Sequence, residues 1–115
     1  MMDTLKLSKP IMINGEEVKE IKYDLDSLTA QDLQNASRKY QKNGGVIQVQ
    51  ELDPIYHLYL FAEAVSKVNP EIDLTDILRL SAKDAIKAES LVRNFFFLDL
   101  EDSYQSNTSE MRLLN

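Results

Sequence analysis

The sequence has no cysteine and no tryptophan, and only three glycines, three prolines and one histidine among 115 residues. Without cysteine there is no disulfide, no thiolate metal ligand and no thiol nucleophile, a composition that fits a reducing compartment. His57, the single histidine, has no second imidazole and no thiolate with which to complete a transition-metal site, so it reads as a structural histidine. Glycine is too scarce for a phosphate cradle: neither Gly-x-x-x-x-Gly-Lys-Ser/Thr nor Gly-x-Gly-x-x-Gly surrounds Gly44-Gly45. No serine lies in a Gly-x-Ser-x-Gly elbow. With no constellation of acid, base and nucleophile, the residues predict a protein without catalytic chemistry or cofactor.

Two further absences bear on location and partners. No apolar run approaches the roughly 18 residues of a spanning helix. Met1-Met2-Asp3 lacks the basic-then-apolar order of a signal peptide, so a cytoplasmic protein without a membrane partner is expected. Basic residues are outnumbered, 13 against 19 acids for a net charge of -6, which argues against nucleic acid because phosphate binding requires clustered Lys and Arg. Half of that charge falls in residues 99–115, where Asp99, Glu101, Asp102 and Glu110 face one base, Arg112. We expect one domain over residues 1–98 and a disordered, acidic tail over 99–115.

What is present is a pattern of strands followed by helices. From Leu5 to Ile13 apolar residues occupy odd positions, and Asn14-Gly15 then supplies a two-residue hairpin turn. The return strand carries Val18, then Ile21 and Tyr23, so the apolar phase slips once, as a bulge or a turn-set register would make it do. Pro10 lacks an amide hydrogen and marks the first strand as an edge. Three helix starts share one grammar, a Ser, Thr or Asp cap with an acid three residues on: Thr29 with Asp32, Asp73 with Asp76, and Ser81 with Asp84. Asp53-Pro54 is a fourth. Helices are predicted over 30–42, 54–68, 74–80 and 82–97, giving an α+β fold in which an N-terminal hairpin packs on about four helices. Residues 46–50, Val-Ile-Gln-Val-Gln, fit a short strand or a connector, and we favour the connector.

On the helix predicted over 54–68, apolar residues cover most of the circumference and leave a polar strip at Glu63 and Lys67. A central core helix explains this most simply. A small domain that failed to cover it would leave His57, Phe61 and Val68 facing a partner or a second copy, and Ile86 and Phe97 stand off the apolar stripe of the last helix. These five residues form the candidate partner-binding set. In the tail, Asp99, Glu101, Ser103, Gln105, Asn107 and Glu110 fall at the ligand positions of a calcium loop. Tyr104 sits where such a loop requires glycine, so no metal is expected there.

In the order of its pieces the chain resembles the phage tail assembly chaperones of Mu-like and P2-like tails and of Gram-positive prophages. The resembling segments are KPIMINGEEVKEI from Lys9 to Ile21, LTAQDL from Leu28 to Leu33 and LSAKDAIKAESLVRNFF from Leu80 to Phe96. The resemblance implies a factor of the bacterial host cytoplasm that binds the tape measure protein, keeps its helical segments soluble and is left out of the mature virion. It carries over no site residue, since the shared motifs are hairpin and cap residues. A minor structural or adaptor protein of a phage tail is the alternative reading.

Overall fold

The structure is a computed structural model and describes residues 2–97. Strands β1 (Asp3–Ile13) and β2 (Glu16–Tyr23) form an antiparallel hairpin. Asn14 at φ 53° and Gly15 at φ 82° make the turn that the Asn-Gly pair predicts. The register runs from Ile13 opposite Glu16 to Ile11 opposite Val18, then breaks and resumes with Lys6 opposite Glu20 and Leu5 opposite Ile21. Four residues of β1, Leu7 to Pro10, therefore face Lys19 alone. This bulge is the origin of the phase slip: β1 keeps its odd-numbered apolar face across it, while β2 changes phase between Val18 and Ile21. Pro10 lies inside the bulge, where no ladder bond is asked of it.

Helix α1 (Ala30–Lys42) starts at a complete capping box, with the Thr29 hydroxyl accepting from the Asp32 amide and the Asp32 carboxylate accepting from the Thr29 amide. It ends at Asn43-Gly44-Gly45, where the Gly45 amide donates to the Tyr40 carbonyl at 2.9 Å. A side chain at Gly45 would overlap the Tyr40 ring, so the chain requires glycine at this close approach. Helix α2 (Pro54–Val68) begins under the Asp53 carboxylate, which accepts from the Ile55 and Tyr56 amides at 3.0 Å. Residues 46–49 form a connector rather than a strand, and Gln50–Leu52 adds a single 3-10 turn that the sequence pattern did not reveal. Helix α3 is shorter than expected, Leu74–Ile77, and tightens into turns through Leu80. The cause is local: Ser81 must leave helical geometry to cap the next helix, α4 over 82–97, so α3 has no room to continue.

The core forms around α2. Tyr56, Leu60, Phe61, Ala64 and Val65 are fully buried and meet Ile21 and Tyr23 of the hairpin, Ala36 of α1, Ile77 of α3, and Ala88 and Val92 of α4. The Tyr56 hydroxyl donates to the Leu33 carbonyl at 3.2 Å, and burial, helped by the Glu51 charge, pushes its pKa up to about 12. The polar strip of α2 faces α1: Lys67 pairs with Asp32 at 2.8 Å and Glu63 with Lys39 at 3.1 Å. Among the described residues no helix is long and apolar enough to cross a membrane. The domain end at residue 98, the acidic tail and the calcium-like spacing lie outside the described residues.

Candidate binding surface

The candidate residues separate. Phe61 is inaccessible to solvent, its ring 5.1 Å from that of Tyr23 where α2 crosses the hairpin, so it is core and lines no surface. Helix α2 is covered on the Phe61 side by β2, which the apolar circumference alone could not say. Val68, at the end of α2, lines a hollow of about 310 Å³ with Val18, Ile21 and Ile72 on the hairpin side. His57 and Ile86 do come together: with Leu52, Pro54, Glu89, Ser90 and Arg93 they line a hollow of about 180 Å³ between the start of α2 and the outer side of α4.

His57 forms its floor rather than a wall. Its ring is buried, Nε2 lies 2.8 Å from the Gln50 carbonyl oxygen, and the ring of Phe96 sits 5.4 Å away. Burial holds its pKa below the ordinary 6.5, and the Gln50 carbonyl, which favours a proton on the ring, offsets only part of that. The imidazole thus ties the 3-10 turn to α2 and α4. Ile86 is 60% exposed and projects from the opposite wall. Phe97 is 37% exposed and lies under the Arg93 guanidinium, 5.5 Å from the ring centroid, at the far end of the same helix stripe.

A second hollow, about 410 Å³, continues from the first, since Leu52 and Pro54 line both. Its remaining walls come from Val46, Gln48, Val49 and Asp53. Together they make one trough whose rim exposes Val46, Val49, Leu52 and Ile86, with Val46 at 75% the most open. Sequence reasoning missed the connector side of this surface. Its signal was present in the apolar alternation of residues 46–50, which pairs with no strand among the described residues and keeps Ile47 packed against the core. On the trough wall, Glu89 has no cation or hydrogen-bond donor among the described residues, and burial alone pushes its carboxyl above the ordinary range.

The opposite face of α4 is closed. Asp84 is fully buried; its Oδ1 accepts from the Ser8 amide and hydroxyl, both at 2.8 Å, and its Oδ2 from the Lys9 amide at 3.1 Å and the Ser81 hydroxyl at 2.9 Å. The amides freed by the β1 bulge therefore end on a carboxylate of the last helix. Burial pushes this carboxyl up, and the bonds from Ser8, Lys9 and Ser81 outweigh it and hold the pKa far below the ordinary range. Asp84 thus caps its own helix and fastens the hairpin to it.

Among the described residues no group of three His, Cys, Asp or Glu side chains could hold a metal ion. Compared with protein-family models, with curated proteins and with solved structures, the chain matches none.

Proposed function

We propose that the chain is a non-enzymatic assembly chaperone that holds apolar helical segments of a phage tape measure protein in the host cytoplasm until the tail tube takes them over. The observation that carries this reading is the trough, an exposed apolar strip walled by one side of a helix. A partner helix can lay an apolar stripe there, with residues at i, i+3, i+4 and i+7 as anchors. Scattered surface aliphatics need no explanation, but Val46, Val49, Leu52 and Ile86 are contiguous around two joined hollows, which favours a contact surface. Net negative charge supports the same role by keeping a loaded complex soluble. The resemblance noted above supplies the identity of the client.

Co-expression with the tape measure protein of the same genome tests this. A soluble complex is expected, weakened at least tenfold by Ile86→Asp, and finished tails should lack the chain by mass spectrometry. Absence of any complex overturns the proposal, and a stoichiometric presence in finished tails replaces it with the adaptor reading.

A further inference from the structure

Strand β2 pairs with β1 along one edge, and along the other it meets no strand among the described residues. An open edge is a template for a further strand, which charged side chains commonly blunt. On β2 those charges follow an order. From Glu17 to Lys22 the strand reads acid, Val18, base, acid, Ile21, base, with the charged side chains exposed and both Val18 and Ile21 packed on the core. The pattern is a consequence of the bulge, which shifts the apolar phase between Val18 and Ile21. It is symmetric about the peptide bond between Lys19 and Glu20, and the charge signs invert across that point. We propose that two copies of this chain join along β2, antiparallel about a two-fold axis between Lys19 and Glu20, so that the two hairpins make one continuous sheet.

In that register Glu17 lies opposite the partner's Lys22, Lys19 opposite the partner's Glu20 and Val18 opposite the partner's Ile21, and the two-fold axis repeats each pair. Backbone hydrogen bonds supply affinity in such a contact, and the cross-strand side chains set its register. The neighbouring alignments are opposed. A slip of one residue sets Lys19 against the partner's Lys19 in one direction and Glu20 against the partner's Glu20 in the other. A slip of two sets Glu17 against the partner's Glu20, or Lys19 against the partner's Lys22, and parallel pairing in register sets every charge against its like. Like charges directly opposite are destabilising, so the edge admits one alignment. Beside it lies the hollow of about 310 Å³ between Val18 and Ile21 of β2 and Val68 and Ile72 at the end of α2, an apolar floor that the partner's Val18 and Ile21 extend. None of these residues lines the trough, so the two surfaces do not compete for side chains.

The inference concerns the chain alone and stands or falls separately from the chaperone reading. Within the hairpin Glu17 faces Met12 and Lys22 faces Thr4, so reversing either charge disturbs no cross-strand ion pair of the chain itself. Sedimentation velocity of the full chain over a range of concentrations should show a reversible dimer. Glu17→Lys alone, or Lys22→Glu alone, places like charges together at both ends of the contact and should raise the dissociation constant at least about tenfold. An equimolar mixture of the two variants should recover a dimer of parental affinity, because only the mixed pair sets each lysine against a glutamate. A parent that stays monomeric at millimolar concentration overturns the proposal. Variants that dimerise as tightly as the parent place the contact on another surface and overturn it, as does a mixture that fails to recover the dimer.

Discussion

The two faces of α4 differ in how completely their chemistry is satisfied. On the inner face Ala88 and Val92 are fully buried, and the one charged group there, Asp84, accepts from four protein donors. On the outer face Ile86 stands in solvent, and the half-buried Glu89 has no ion-pair partner among the described residues. An internal contact evolves toward saturation because each unpaired buried polar group costs about 1–3 kcal/mol. Beside such a well-satisfied face, the outer face leaves Ile86 to solvent, as the contact surface proposed above requires.

The largest effect expected from breaking the comparison lies at its hub. Phe61→Ala should cost about 3–5 kcal/mol, because a fully buried ring is removed from between α2 and the hairpin, and Phe61→Asp should abolish cooperative unfolding. Thermal or urea denaturation checks both, and a Phe61→Asp variant that melts like the parent would return this residue to the surface. Next comes the clasp. Asp84→Asn retains the shape but turns an amide donor toward donors, so a loss of about 2–3 kcal/mol is expected.

Acid should expose the same clasp. The folded pKa of Asp84 lies below its ordinary 3.8, so its contribution is present in full well above pH 3.8 and is lost as pH falls through that value toward the folded one. His57 acts in a higher window. Its folded pKa is lowered from 6.5, the unfolded chain takes the proton first, and stability declines as pH falls below about 6.5. Denaturation midpoints between pH 7 and pH 3 should therefore drop in two stages, and Asp84→Asn should flatten the more acidic one.

Smaller effects sharpen the contrast between the faces. Val92→Ala should cost about 2 kcal/mol, two buried methyl groups plus the cavity they leave. Ile86→Ala, six residues earlier on the same helix, should change stability by no more than about 0.5 kcal/mol. Equal losses at the two positions would show that the outer face is packed in solution.

Local chemistry made much of this fold legible. The hairpin turn, the capping boxes at Thr29 and Asp73, the Asp53-Pro54 start and the bounds of α1 and α2 all depend on neighbours within four residues, and such information is written in the order of residues. The bulge was legible as a slip of apolar phase, although not as four residues of β1 against one of β2.

What the order of residues could not decide is which apolar positions end up inside. Phe61 and Ile86 are both aliphatic or aromatic residues on amphipathic helices, and only the arrival of the hairpin over α2 buries the first while nothing among the described residues covers the second. Asp84 likewise announced itself as a helix-capping acid, whereas its bonds to Ser8 and Lys9 join positions more than seventy residues apart. Caps, turns and periodicity are short-range and were determined by the sequence itself. Burial, the partner of a buried carboxylate and the line between core and binding surface depend on which distant segments pack together, so the tertiary structure alone decided them.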